Sequence, residues 1–257
     1  MDYLTVAEAR QREGIKLVLT RGVPGPWGES AKAILRHHEL PFHAVAQQGA
    51  QANEELVAWT GHRNAPLLIV PGEPVRAHWL EILNYAERHG RGPALLPETP
   101  ALRAETIGLA HEICGENGLA WQLRLLMLDL INAHGDAGSN QNPMLDAYGY
   151  PAGFAEQRAA IFAQIDLSLA LLNDQLDRQQ QRGSHYLVGE GYTAVDLYWA
   201  YFSQMLKPLP QPDNPVSGFS RTLYELFDRL APDAPLAALL AHQRRIFEAH
   251  LELPMRF

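Results

Sequence analysis

The sequence predicts an α/β domain over residues 1–90 and an all-α domain over residues 101–257. In the first domain, short β-rich runs alternate with amphipathic helical segments in the order β-α-β-α-β-β-α. Residues 91–100 and the Gly90 before them contain two glycines and three prolines, a composition typical of a linker. After the linker, every periodic segment has helical spacing.

Composition restricts the class of protein. The chain has 257 residues, a formal net charge of −8 and a pI near 5.7, so nucleic acid and anionic membrane surfaces are not expected partners. Hydrophobic residues make up 47% of the chain, too many for a disordered protein. The single cysteine, Cys114, excludes an internal disulfide and a multi-cysteine zinc site. Because the sequence has no membrane-length apolar run and no apolar signal-peptide core, we expect a cytoplasmic protein.

Seven elements are predicted in the first domain. The β-rich run Ile15–Thr20 is the first strand, and the Gly/Pro loop Gly22–Gly28 leads from it into the first helix. Pro66 directly precedes the third strand, and the turn at Pro71–Glu73 predicts a short fourth strand. The predicted helices are Glu29–Glu39, Ala52–Thr60 and Trp79–His89, and the other strands are Phe42–Ala46 and Leu67–Val70.

Five helical segments are predicted in the second domain. Ala101–His134 is one long pattern, with a bend expected at Gly115 or Gly118. Thr193–Leu206 is very apolar, and its early part is apolar on nearly all sides, which is typical of a helix inside a bundle. The other segments are Phe154–Gln181, Phe219–Leu230 and Pro235–Leu251.

Three short motifs occur within this order of elements. Asn64-Ala65-Pro66-Leu67-Leu68 places a proline at the entry to a buried strand. In Gly189–Asp196, Thr193 and Asp196 predict a capping box. Pro26–Lys32 spans the end of the Gly/Pro loop and the start of the first helix, where backbone N–H groups and the helix dipole favour a thiolate. With these motifs the chain resembles the glutathione S-transferase superfamily over nearly its whole length.

The resemblance implies a thioredoxin-like first domain that binds glutathione and a helical second domain that binds a hydrophobic electrophile. In that fold Pro66 is cis, and Ala65 presents its backbone to the cysteinyl part of a thiol ligand. The implied reaction is stabilisation of the thiolate followed by its attack on an electrophilic carbon. The residues that the resemblance places at the glutathione site are Trp27, Gly28, Ala65, Pro66, His78, Trp79 and Glu81.

The sequence departs from the superfamily at the group that stabilises the thiolate. Tyr, Ser or Cys is usual there, and no alignment of this chain supplies one of these side chains at the expected position. Thr20 and Ser30 are the remaining local hydroxyls and are therefore the catalytic candidates. A plain helix-start role is the alternative for Ser30.

A second departure lies where the superfamily has an acid–Ser pair that binds the γ-glutamyl carboxylate. His78 and Trp79 fall at those two positions, so the serine hydroxyl is missing. Backbone N–H donors of the helix remain, His78 can replace one hydrogen bond, and Glu81 is a candidate for the local acid. A changed thiol ligand, or loss of catalysis with retention of the fold, is an alternative that follows from this departure.

Polar residues of the first long helix in the second domain are predicted to form a wall of the cleft. The candidates for a second-substrate pocket are His111, Glu112, Trp121 and Arg124, and a solvated helix face is the alternative. His111, Glu112 and Glu116 have His-Glu-x-x-x-Glu spacing, which differs from the His-Glu-x-x-His pattern of zinc sites, so we expect no metal. Cys114 is predicted to be a small buried side chain.

Two further expectations concern side chains outside these groups. The loop Asn140–Gly153 carries Met144, Tyr148 and Tyr150 and either covers the cleft or packs against the body of the domain. Three histidines among charged neighbours are expected at the surface: His37, His38 and His62.

The leading hypothesis is a cytoplasmic, homodimeric glutathione S-transferase-like protein that conjugates glutathione, or a related thiol, to a hydrophobic electrophile. The expected pocket lies between the two domains, and no metal cofactor is expected. One alternative is a non-catalytic binding or scaffold protein with the same fold. The other is a thiol-dependent isomerase, lyase or dehalogenase that acts on one metabolite.

Overall fold

The structure is a computed structural model that describes residues 1–49, 51–134, 145, 148–216 and 218–257. The chain divides into two compact units. The described part of the first unit carries strands and helices, and that of the second carries helices only, as the predicted fold class requires. The first unit comprises Met1–Pro93, Asp136–Gly149 and Arg256–Phe257, and the second comprises Ala94–Gly135 and Tyr150–Met255.

The described sheet of the first unit has three strands, in the order β2-β1-β3. The central strand pairs in parallel with β2 and antiparallel with β3. The strands are β1 (Ile15–Thr20), β2 (Phe42–Gln47) and β3 (Leu67–Ile69), and the helices are α1 (Val6–Gln11), α2 (Pro26–His37), α3 (Glu54–Thr60) and α4 (Trp79–His89).

Helices cover both faces of this sheet. Ala9 of α1 and Leu56 of α3 are buried with Val18 on one face. Leu19 points to the other face, because successive side chains of a strand alternate. Gly28 of α2 lies against Leu19, and α2 packs against α4. The connections that follow β1 and β2 therefore leave the sheet on opposite faces.

The prediction of a fourth strand is wrong for the described part of the chain. Leu68 and Arg76 form only an isolated antiparallel bridge, in which each backbone N–H donates to the other residue's carbonyl at 2.8 and 3.0 Å. Pro71 and Pro74 lie between these two residues and have no N–H to donate to a ladder. The pairing therefore stops after a single residue.

Seven α-helices form the described part of the second unit, and none of the described helices is long and apolar enough to cross a membrane. A short 3₁₀ turn, Ser203–Met205, follows the most deeply buried of them. The helices are α5 (Pro100–Cys114), α6 (Leu119–His134), α7 (Phe154–Gln181), α8 (Ala194–Phe202), α9 (Gly218–Tyr224), α10 (Leu226–Leu230) and α11 (Ala237–His250).

The long pattern predicted over residues 101–134 is two helices rather than one bent helix. α5 ends at Cys114, and the Gly115 N–H donates to the His111 carbonyl. A Cβ placed on Gly118 would lie 2.7 Å from the carbonyl oxygens of Glu112 and His111. Only glycine allows the chain to pass this close to the end of α5.

The predicted capping box at the start of α8 is confirmed. Asp196 accepts hydrogen bonds from the Thr193 N–H at 3.0 Å and the Thr193 hydroxyl at 2.9 Å. The same carboxylate also accepts from the Leu187 N–H and from His242 Nε2, at 2.8 and 2.9 Å. Asp196 is fully buried, so these four bonds balance the desolvation of its charge.

The expectation that His38 lies at the surface is wrong. Its side chain is 2% exposed, and Nε2 lies 3.1 Å from the Glu87 carboxylate of α4. His37 is half-buried against the Pro93 carbonyl, at 2.8 Å, whereas His62 is exposed as expected. The end of α2 is covered by α4 and by residues 90–93, a packing that the charged local sequence does not reveal.

Candidate functional site

The carboxyl ends of β1 and β2 form one edge of the sheet, where Thr20 pairs with Gln47. Leu67 pairs with Val18 in the antiparallel ladder, so Ala65, two residues before Leu67, lies at the end of the sheet where β1 finishes. The Ala65–Pro66 peptide bond is cis, which confirms the prediction for Pro66. An edge from which successive connections leave on opposite faces is the usual ligand position in open α/β sheets.

The first turn of α2 begins near this edge. Gly25 precedes the helix and has no side chain to cap it, and Pro26 at the first position has no N–H. The Glu29 N–H donates to the Gly25 carbonyl at 2.9 Å and closes the first turn. The backbone of α2 thus offers partial positive charge at this end of the sheet.

Gly28 also allows the close approach of α2 to the sheet. A Cβ built on it would lie 3.1 Å from Leu19 Cδ2, which is tighter than ordinary van der Waals contact. This packing fixes the height of the first turn above β1. The predicted residues Thr20, Trp27, Gly28, Ala65 and Pro66 thus lie at the same end of the first unit.

Both catalytic candidates donate their hydroxyl hydrogen within the protein. The Ser30 hydroxyl is buried and donates to the Trp27 carbonyl at 3.1 Å. The Thr20 hydroxyl donates to Gln47 Oε1 at 2.7 Å. A hydroxyl has one hydrogen to donate, so this geometry favours the helix-start role that the sequence left open for Ser30.

A buried ion pair lies in the first two turns of α2, and sequence reasoning missed it. Glu29 and Lys32 are both nearly inaccessible, with the carboxylate and ammonium 2.5 Å apart. The Lys32 ammonium also donates to the Arg256 carbonyl at 2.6 Å. Their i,i+3 spacing predicts a pair, but charged residues at that spacing are usually exposed.

Tyr3 lies beside this pair. Burial of the phenol raises its pKa, the negative charge of Glu29 raises it further, and the positive charge of Arg21 opposes both effects. The hydroxyl therefore stays protonated through the neutral range.

The start of α4 differs from an open anion site. His78 precedes the helix, and its Nδ1 accepts from the Leu80 N–H at 3.3 Å. The Glu81 carboxylate accepts from the His78 N–H at 3.2 Å. Glu81 thus places a negative charge at the helix start, where the sequence predicted a ligand carboxylate. Trp79 is buried in the core at 7% exposure.

The candidates for a second-substrate pocket lie on α5 and α6. His111 is exposed and Glu112 is half-buried. The Arg124 guanidinium stacks 3.9 Å from the centre of the Trp121 ring, a favourable cation–π distance. Whether these four residues bind a second substrate stays a prediction.

Cys114 is buried, as the sequence predicted, and burial raises the pKa of its thiol well above the usual range. The thiol is therefore protonated and unreactive at neutral pH. In the described part of the chain, His, Cys, Asp and Glu side chains form no cluster that could hold a metal ion.

The predicted covering loop is only partly described. Met144 lies outside the described residues. The Tyr150 hydroxyl donates to Asp129 at 2.8 Å, and its ring stacks on Phe154. Burial and the Asp129 carboxylate raise the pKa of Tyr150 to about 12. These contacts favour the alternative in which this end of the loop packs against helices of its own unit.

The sequence matches no protein-family model and no curated protein, but the fold has solved relatives. A glutathione S-transferase from Methylobacillus flagellatus KT with glutathione bound has a TM-score of 0.62 and 13% identity, covering 91% of this chain and 95% of that chain. This chain has the glutathione S-transferase fold. It also resembles a glutathione transferase family member from Pseudomonas fluorescens Pf-5 with two glutathione bound, with a TM-score of 0.62 and 16% identity over 95% of this chain and 93% of that chain.

The chain is also similar in structure to the β-etherase LigF from Sphingobium sp. strain SYK-6. It has a TM-score of 0.57 and 19% identity over 90% of this chain and 99% of that chain. At these identities the likeness shows the fold alone. The chemistry of this chain must be argued from its own residues.

Proposed function

We propose that this chain binds glutathione, or a related thiol, at the carboxyl edge of the sheet in its first unit. The observation that carries the proposal is the position of Ala65, shortly before β3 at the end of the sheet where β1 finishes. In that position the Ala65 backbone is available to pair with the cysteinyl part of the ligand, and the first turn of α2 lies near the sulfur. The two relatives with glutathione bound support the choice of ligand.

We propose binding and not conjugation because both catalytic candidates donate their hydroxyl hydrogens within the protein. Transfer of the sulfur to a hydrophobic electrophile requires a stabilised thiolate, and the hydroxyl hydrogens of Thr20 and Ser30 are donated to protein oxygens. This observation favours the non-catalytic alternative. Conjugation, and the isomerase, lyase or dehalogenase reactions, stay predictions.

Calorimetric titration with glutathione tests the proposal, with triglycine as a control peptide that lacks the thiol and the γ-glutamyl group. We expect saturable binding of glutathione and none of triglycine. A generic aryl halide then tests conjugation, where binding without turnover is the result we expect. If glutathione does not bind, the proposed function is wrong.

We also propose that the chain forms a homodimer, as the resemblance implies, and that it functions in the cytoplasm. Sedimentation equilibrium at micromolar concentration tests the assembly. We expect a mass of twice the 28.6 kDa of one chain, and a mass near one chain would refute the dimer.

A further inference from the structure

Asn117 is the only asparagine of the sequence that is followed by glycine. In an Asn-Gly pair the glycine has no Cβ to keep its backbone nitrogen away from the amide carbon of the asparagine. The glycine nitrogen can therefore attack Cγ and lose its proton while ammonia leaves, which closes a succinimide ring. Water then opens the ring to aspartate or isoaspartate, so the modification needs no reactant besides water.

The break between α5 and α6 requires both residues of this pair. The Gly118 N–H donates to the Gly115 carbonyl at 3.1 Å and closes a turn over residues 115–118. Of these four residues Asn117 alone has a positive φ, of 63°, which is the conformation of a type II turn that glycine and asparagine adopt most readily. A Cβ on Gly118 would lie 2.7 Å from two carbonyl oxygens at the end of α5. The fold therefore favours Asn-Gly at this point.

The same turn restrains the reaction in the folded chain. Gly118 is buried, and its N–H is held by the Gly115 carbonyl. Gln122 Nε2 donates to the Asn117 carbonyl at 3.1 Å, and the Gln122 N–H donates to the Gly118 carbonyl at 3.2 Å. The Asn117 side chain is exposed. The fixed backbone on both sides of Gly118, and not burial of the amide, therefore limits the attack.

We propose that Asn117 is a site of spontaneous deamidation and that opening of the 115–118 turn sets the rate of the reaction. Opening breaks the bond between Gly118 and Gly115 and lets the peptide group rotate toward the asparagine Cγ. Local openings of this kind cost less free energy than global unfolding. The folded chain therefore deamidates at Asn117, but more slowly than the denatured chain.

The isoaspartate product changes the backbone, and the aspartate product does not. In isoaspartate the main chain runs through Cβ and Cγ, so the connection between Glu116 and Gly118 gains one atom. The backbone of Gly118 already lies against the end of α5, and a longer connection displaces it. Aspartate keeps the backbone length and tolerates a positive φ. Isoaspartate should therefore destabilise the break between α5 and α6.

Peptide mapping by mass spectrometry tests the site, on the full chain incubated in mildly alkaline buffer. We expect Asn117 to gain the mass of deamidation, and exposed Asn132, which Ala133 follows, to gain much less because the alanine Cβ hinders the attack. In guanidinium chloride the rate at Asn117 should rise at least about tenfold. No deamidation at Asn117 in the folded chain, or equal rates in the folded and denatured chains, overturns the proposal.

A variant of Gln122 tests the restraint. Gln122→Ala removes the hydrogen bond to the Asn117 carbonyl, so we expect deamidation of the folded variant to accelerate about three- to tenfold. Gln181→Ala, at an exposed position near the end of α7, is the control and should leave the rate unchanged. Circular dichroism establishes that both variants are folded. An unchanged rate in folded Gln122→Ala contradicts control by the turn, and if this variant does not fold, the two wild-type rates decide.

Asn117→Asp separates the new charge from the lengthened backbone, because it carries the charge alone. A deamidated sample that contains isoaspartate should unfold at a lower urea concentration than this variant. Equal midpoints would show that the turn accommodates the added atom and would contradict the proposed structural effect of isoaspartate.

Discussion

The donor and acceptor roles of single buried residues connect distant elements of this chain. Asp196 accepts four of them while fully buried, and His242 supplies one from α11. Arg245 Nη2 lies 2.7 Å from His242 Nδ1, and because a guanidinium only donates, Nδ1 accepts and Nε2 carries the hydrogen. This fixes the tautomer that donates to Asp196 and ties α11 to the start of α8.

Asp196→Asn tests this network. The amide replaces an acceptor with a donor opposite groups that already donate, so we expect the free energy of unfolding to fall by about 2–4 kcal/mol. Urea denaturation followed by circular dichroism measures it. Asp177→Asn, at an exposed position of α7, is the control and should change stability by less than about 0.5 kcal/mol. Equal effects of the two substitutions would contradict the role of Asp196.

Local sequence predicted the structural roles of some residues and not of others, for a physical reason. Pro66 and the Thr193–Asp196 capping box act through neighbours in the chain, so short motifs revealed them. The burial of Glu29, His38 and His242 depends on elements far away in sequence, and no local pattern encodes it. The hydrogen bond between Thr20 and Gln47 was equally hidden, because it depends on the pairing of β1 with β2.

Helices and strands of this fold end where the backbone has no room to continue or where it lacks N–H donors. The bounds of α4 and α7 are those that periodicity and flanking glycines predicted. The predicted fourth strand is reduced to one bridge because two prolines lie in the turn that this bridge closes, and the long helix of the second unit breaks at Gly115–Gly118. In both cases the prolines and glycines were visible in the sequence, but their effect on the predicted element depended on the backbone that lies opposite them.

Gly118→Ala tests the break between α5 and α6. Its Cβ would meet two backbone carbonyls at 2.7 Å, so we expect a loss of about 1–3 kcal/mol of unfolding free energy. Gly108→Ala within α5 is the matched control, since the space around its Cβ is open. Helix propensity predicts a gain there of about 0.5–1 kcal/mol. Chemical denaturation of both variants measures these changes in unfolding free energy. An alanine at Gly118 that leaves stability unchanged would contradict the role of Gly118 in the break.

Glu81→Gln tests the electrostatics at the start of α4. Removing this charge should strengthen binding of anionic glutathione by about two- to fivefold at low salt. Glu55→Gln removes a similarly exposed carboxylate from the first turn of α3 and should leave the Kd unchanged. Calorimetric titration measures both. Weaker binding by the Glu81 variant would show that the carboxylate attracts the ligand ammonium instead.

The whole molecule combines a glutathione S-transferase fold with an altered set of hydrogen-bond donors at the expected thiol position. The fold was predictable because hydrophobic periodicity and the order of elements extend over the whole chain. The chemistry was less predictable, because the sequence gives the positions of the hydroxyls but not the directions in which they donate.

Stability of the whole molecule should fall at alkaline pH. Burial raises the pKa values of Cys114, Tyr192 and Tyr198 well above their usual ranges. Above a pH of about 9 to 10 the unfolded chain loses these protons while the folded chain keeps them, so the free energy of unfolding decreases as pH rises. Urea titrations between pH 8 and about 11 measure the slope. Tyr198→Phe should make it shallower by about one proton, and an identical slope would contradict the burial of that hydroxyl.

A crystal structure of the chain grown with glutathione tests the central claim most directly. We predict that the cysteinyl backbone pairs with Ala65 and that the sulfur lies beside the first turn of α2, near Trp27 and Gly28. Glutathione bound elsewhere, with the cis Ala65–Pro66 edge occupied only by water, would contradict the proposed site.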